Sequence, residues 1–333
     1  MRSCHGAKDM ECLAHTITHM GEHLSIALLL KFKQDICALI KDSYHSSVHW
    51  FDTIGHHFLH PGNTRWWAVY DLYADLLKFF ELVVVFVTTA VTHGNVGEDG
   101  ARIQRLTDII SCPSSRIWLK LELSVVVITM KPVVEATYLL EGSGPTALIA
   151  YDLLENIRIG YNVHITDLTF PGMEYAVDEC VEGLADDDAV RSRAWVTSKV
   201  KGIIVPSFDY FTSRIYGMLS EDIDIYKTLR YANPVAVRRM LPDFSVASFK
   251  VAVQSLHHFL EVTIEEMLGE IPEYLAIIDN IGPAAANKMD EMKYAWRFWV
   301  NNKGNLPVLS RLAQYAFTIT TSSASAEDRK SVV

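Results

Sequence analysis

"AVYDLYADLLKFFELVVVF", residues 68–86, decides how the rest of the chain is read. Val69, Leu72, Tyr73, Leu76, Phe80 and Val83 recur at spacings of three and four, which lines them up as one apolar stripe on an α-helix. The same period continues downstream. Residues 118–141, "WLKLELSVVVITMKPVVEATYLLE", read as a long helix that Pro132 should kink or divide. Residues 142–160, "GSGPTALIAYDLLENIRIG", read as a helix that opens at Ser143 to Pro145 and stops at Gly160. Further helical runs are legible around 175–186, 188–201, 209–231, 245–269, 284–300 and 306–317, about ten helices in all. Convincing strands are nearly absent. The one exception is "CLAHTITHM", residues 12–20, where Leu13, His15 and Ile17 alternate as in a short strand, although a helix fits almost as well. With no repeat and no low-complexity linker, the fold class is mainly α, one large helical body.

Bulk composition limits what that body can do. Half of the 333 residues are hydrophobic, enough for a real core. The net charge of −10 argues against a chain coated all over in nucleic acid. It leaves room for a local basic face, because residues 190–250 hold ten Lys or Arg against five Asp or Glu. Five widely spaced cysteines, odd in number, read as the reduced thiols of an intracellular protein. The first 25 residues contain charges and histidines where a signal peptide would have an apolar run. The most apolar stretch, residues 82–91, is about half the length a bilayer requires and reads as a buried helix, so no membrane partner is expected.

Three stretches carry possible chemistry. Cys12, His15, His19 and His23 form C-x2-H-x3-H-x3-H, a set that either packs in the core or presents zinc ligands on one helical face. The second cysteine that a zinc finger of the Cys2His2 kind needs is missing. Arg65, Trp66 and Trp67 stand where a polar turn becomes a helix. Neighbours on a helix point about 100° apart, so one indole should stay near the surface. There it could stack on an unpaired base for roughly 1–3 kcal/mol while the guanidinium takes a phosphate. Near the end, Ser322 or Ser323 would cap a short helix and leave Glu327 in its first turn, either as a dipole-favoured carboxylate or as a metal ligand. The sequence contains no Gly-rich phosphate loop, G-x-S-x-G elbow or H-E-x-x-H.

Taken in order, "CLAHTITHMGEHL" (12–24), "NTRWW" (63–67), residues 119–157 and "WRFWVNNKGNLPVLSRLAQYAFTITTSSASAEDRKS" (296–331) resemble the C-terminal two thirds of hAT-family transposases and their domesticated relatives. The resemblance is carried by C-x2-H-T, T-R-W-W, A-T-Y-x-L-E-G-x-G-P and S-S-A-S-A-E. It implies a large all-α insertion domain in a ribonuclease-H-like core, of which an incomplete remnant would lie at the two ends. The implied division is residues 1–23 as core remnant with its last strand, 24–304 as insertion, and 305–333 as a truncated dimerisation segment that carries the glutamate helix. In this family two aspartates and a glutamate hold two Mg2+ ions for in-line attack on phosphate. Glu327 matches the glutamate, His15 the histidine near the scissile DNA, and Trp66 the tryptophan that stacks where a base is flipped.

The sequence also departs from that pattern. The family's two aspartates lie upstream of C-x2-H, where only eleven residues precede Cys12, and Asp9 is too close to replace one. "AEDRKS" replaces A-E-R-V-F-S, and a BED zinc finger is lacking. One carboxylate cannot grip two metals, so the expectation is a catalytically incomplete hAT-derived protein without metal or other cofactor. By resemblance it is nuclear, with DNA or a second copy of itself as partner. Two alternatives stand beside it: a helical interaction scaffold without DNA binding, and a fragment of an active transposase whose two aspartates are encoded upstream.

Overall fold

The computed structural model describes residues 12–62, 66–90, 98–184, 193–254, 256, 260–280 and 287–321. Arg65 and Glu327 lie outside the described residues. Among those described the chain is mainly α and contains no strand. The helices are α1 (Leu13–Thr18), α2 (Ala27–Asp42), α3 (Tyr44–Ile54), α4 (Trp66–Lys78), α5 (Phe80–Ala90), α6 (Glu98–Ser111), α7 (Pro113–Glu141) and α8 (Ala147–His164). They continue with α9 (Met173–Gly183), α10 (Arg193–Phe211), α11 (Ser220–Leu229), α12 (Pro234–Met240), α13 (Val246–Gln254), α14 (Ile264–Asp279), α15 (Lys288–Asn302) and α16 (Leu309–Thr318).

Several sequence expectations need correction. The possible strand at residues 12–20, and with it the core strand that the resemblance implies near Cys12, is helical instead. Leu13, Ala14 and Ile17 are buried, a spacing of one and four that suits a helix and not a strand. Pro132 does not divide α7. A proline removes one ladder bond and weakens the turn before it, and there the Tyr161 hydroxyl donates to the Thr129 carbonyl at 2.8 Å. Gly160 does not stop α8, which runs on to His164. An interior glycine costs only about 1 kcal/mol against alanine, and buried Ile157 and Tyr161 flank this one. The run at 209–231 is broken by a π-helical segment, Thr212–Met218. The run at 245–269 is broken before Thr263, which starts α14 afresh with a capping box to Glu266. Helix α5 buries Phe80, Val83, Phe86, Val87 and Ala90 but exposes Leu82 and Val85, so it is one-sided and not wholly buried. By length and composition α7 could cross a membrane, and 61% of its most apolar window is buried inside the protein.

The chain forms two compact units. The first comprises residues 1–17, 135–159 and 211–333; the second comprises 18–134 and 160–210. These are units of packing and do not speak to the division by ancestry at 23/24 and 304/305. In the second unit α2 packs on α3 and α6, and α5 on α3 and α6. Trp50 lies edge-on to both Phe58 and Phe86 at its centre. The first unit packs α12 against α14 and α15, and α11 against α13. Trp299 anchors that core by donating its indole N–H to the Ala232 carbonyl at 2.7 Å while it stacks on Tyr274.

Two of the helices that start without a side-chain cap are capped from a distance. The residues before α2 and α16, Ile26 and Val308, offer no side-chain acceptor. Carboxylates distant in sequence replace it. Glu122 of α7 accepts from Leu29 N at 2.7 Å in the second unit. In the first, Glu270 of α14 accepts from Val308 N and Leu309 N at 2.9 and 2.8 Å. Each satisfies N–H groups that a helix start leaves orphaned and places negative charge at the positive end of the dipole.

Candidate functional site

The C-x2-H-T stretch is a helix start in the first unit. Cys12 precedes α1, and its Sγ accepts from His15 N at 3.4 Å, as an N-cap oxygen would. Thr16 returns its hydroxyl to the Cys12 carbonyl at 3.0 Å. Cysteine and threonine thereby secure the turn, and the His15 side chain is left exposed. A second α1 amide, Ala14 N, donates to the carbonyl of Thr321 at 3.2 Å.

Thr321 is a junction. Its buried hydroxyl donates to the Leu140 carbonyl at 2.8 Å, so the Thr146 hydroxyl, 2.7 Å away, must donate to it. Leu140 lies in the last turn of α7 and Thr146 precedes α8, so the A-T-Y-x-L-E-G-x-G-P turn is tied to the last described residue before S-S-A-S-A-E. Two of the four stretches that carry the family resemblance, C-x2-H-T and A-T-Y-x-L-E-G-x-G-P, therefore meet at Thr321 in the first unit, while S-S-A-S-A-E lies outside the described residues.

The two tryptophans of T-R-W-W lie in the second unit. Trp66 opens α4 half-buried, its ring laid over Gly21 so closely that a Cβ built there would be 1.8 Å from Trp66 Cε2. The indole nitrogen of Trp67 is shut away from solvent. The expected contrast between one exposed and one core tryptophan is thus softened, since both rings are partly covered. The histidines of C-x2-H-x3-H-x3-H do not converge: His19 pairs with Glu22 at 2.8 Å and His23 stacks on Tyr210. Among the described residues no group of three or more His, Cys, Asp or Glu is placed to hold a metal ion. The described residues thus supply no carboxylate set of the kind the resemblance implies for two Mg2+ ions.

Two features of the first unit escaped the sequence reading. One is an ion network on the inner side of α8. Asp152 pairs by charge with Arg230 at 2.6 Å and accepts hydrogen bonds from Arg239 at 2.8 Å and Lys288 at 3.2 Å. Glu291 takes the other side of Arg239 and, at 2.9 Å, Lys288. Both carboxylates are buried. Burial works against the charge of Arg239, but its bonds to Glu291 and Asp152 outweigh that and hold its pKa above the ordinary value. Only Lys288 and Glu291 share a helix, at i and i+3; no spacing signals the whole set, because Asp152, Arg230 and Arg239 come from other elements. The other feature is a groove of about 680 Å3 between the Ser143 to Pro145 turn, α15 and Phe317. Its exposed aromatic, Trp296, sits among Lys293 and Arg297. The spacing K-x2-W-R was visible in the sequence, but which face of α15 would be left open was not.

Compared with protein-family models, with curated proteins and with solved structures, the chain matches none.

Proposed function

We propose that this chain is a hAT transposase-derived protein that binds DNA without cutting it, in the nucleus, with self-association through residues 305–333. The observation that carries the reading is the bond from Ala14 to Thr321. On the family pattern, the C-x2-H stretch and the segment leading to the last acidic residue belong to one core though a long insertion separates them, and here they lie side by side. In this reading His15 and Trp66 contact DNA, Arg65 takes a phosphate, and Glu327 is the remaining member of an acidic trio.

A labelled hairpin DNA titrated at low salt tests the proposal. Binding should weaken steeply as salt rises and drop in His15→Ala, Arg65→Ala and Trp66→Ala. Supercoiled plasmid with Mg2+ should stay intact. Absence of hairpin binding at every salt concentration sinks the DNA reading, and Mg2+-dependent nicking lost in Glu327→Gln sinks the non-cutting one.

One observation favours the scaffold reading instead: Trp66 already spends part of its ring on Gly21. On that account Trp66→Ala lowers stability and leaves DNA affinity unchanged.

A further inference from the structure

Helix α15 turns Met292, Ala295, Phe298 and Trp299 into the core of the first unit. Its opposite side carries Met289, Lys293, Trp296 and Val300 in one row at spacings of four, three and four, with Arg297 beside them. Solvent-facing tryptophan is uncommon, and Trp296 is 52% exposed while Trp50 and Trp299 are buried. It is also held in place. Phe317 packs against it at a centroid distance of 5.1 Å with the rings tilted by 46°, so the indole is braced from one side and preorganised.

The charge around the ring is one-sided. Lys293 stands three residues before Trp296 and Arg297 one after, and the groove lining contains no carboxylate in a chain whose net charge is −10. Among the described residues neither cation is engaged by an Asp or Glu. The far wall is partly bare backbone: Gly144 has φ of +118°, a conformation L side chains rarely adopt.

We infer that this groove is a binding site for single-stranded nucleic acid, with an unpaired base stacked on Trp296 and the flanking phosphates on Lys293 and Arg297. A flat π-face that is supported on one side, next to a planar guanidinium and an ammonium, suits a base and its phosphates. A duplex presents a base only at the cost of unpairing and unstacking it, whereas a single strand offers its bases already free, so the single strand is the partner this exposed ring suits. The inference rests on the DNA-binding reading for its class of partner and adds a contact that the family resemblance does not assign.

The test uses the full chain and a fluorescein-labelled deoxythymidine oligonucleotide of about a dozen nucleotides, within the span that single-strand sites cover. Trp296→Ala should weaken binding about tenfold, and Trp296→Phe, which keeps an aromatic face, should restore most of it. The double change Lys293→Glu with Arg297→Glu should abolish binding at moderate salt. Either single change should lower the slope of log affinity against log salt by about 0.7. An iododeoxyuridine oligonucleotide should crosslink to the α15 peptide. Hairpin binding should survive Trp296→Ala, as its contacts lie elsewhere. Unchanged oligonucleotide affinity in Trp296→Ala, or crosslinks that avoid α15, overturns this site and leaves the DNA reading standing if hairpins still bind. Loss of both oligonucleotide and hairpin binding in the unaltered chain overturns both. Capture of an acidic peptide on this face with no oligonucleotide binding overturns the inference in favour of a protein partner.

Discussion

The six-membered ring of Trp66 lies on the backbone of Gly21, in the space a β-carbon would occupy. Gly21→Ala should therefore lower stability by about 1–3 kcal/mol, the usual range for overpacking a fitted contact. Trp66→Ala should cost less than the roughly 3–5 kcal/mol of a fully buried tryptophan, because the residue is only partly buried. Urea unfolding of both single variants and the double one closes the cycle. With the ring removed, the extra methyl has nothing to strike, so the double variant should resemble Trp66→Ala. Additive losses would mean the two residues are not in contact.

Glu122 should give the second unit a pH signature. Burial raises its pKa above the ordinary carboxylate value, and hydrogen bonds from Leu29, Trp118 and Leu28 only partly counter that. A raised folded pKa means that the folded state holds the proton at pH values where the unfolded chain has released it. Stability should then increase as pH falls from neutrality through the raised value and level off near the unfolded one. Glu122→Gln keeps an acceptor for Leu29 and should lose that pH-dependent component. Glu122→Leu strands buried amides and should cost at least about 2 kcal/mol. Thermal melts across the acid range compare the three, and identical pH profiles for the parent and Glu122→Gln would refute the assignment.

Asp152→Ala should be among the most damaging single changes in the first unit. It leaves Arg230, Arg239 and Lys288 around Glu291 alone, and breaking a buried pair from one side costs about 3–5 kcal/mol. Arg238→Ala breaks a bond to exposed Asp279 and should cost about 1 kcal/mol or less. Calorimetry of the two variants ranks them directly, and equal losses would show that the network is not special.

Cys112 should be the reactive thiol. It is exposed just before α7, and hydrogen bonds from Ser114 and Ser115 lower its pKa to about 7. Burial pushes the thiols of Cys37 and Cys180 up to about 11. Alkylation with limiting iodoacetamide, mapped by mass spectrometry, should label Cys112 first, with a rate that rises through about pH 7 and then flattens. Faster labelling of Cys37 or Cys180 would contradict this ordering.

The helical class was legible in residues 68–86 because burial of one stripe imposes a period that local sequence records. Of the residues in that stripe, Leu72, Tyr73, Leu76, Phe80 and Val83 are buried. A local cap can be present in the sequence and still be passed over: Thr263 with Glu266 forms a capping box, yet the periodicity of 245–269 reads straight through it. Where a helix is interrupted was less legible. Pro132 and Gly160 are breakers by propensity, yet a hydroxyl from Tyr161 and buried neighbours overrule penalties of a few kcal/mol at most. C-x2-H-T leaves strand and helix, and ligand set and packed side chains, as open alternatives, since so short a motif cannot reveal that a thiol is capping a turn.

By itself, then, the order of residues determined a mainly helical chain, a hydrophobic core and the whereabouts of cationic and aromatic side chains. Only the tertiary structure decided that Thr321 meets Ala14, that Glu122 and Glu270 cap helices far away in sequence, and that Trp296 is left in the open while Trp299 is enclosed. The reason is one of range. Periodicity and propensity act over a few residues and leave a local trace, whereas an orphaned amide or an uncovered ring is resolved by whatever partner the packed chain brings near it.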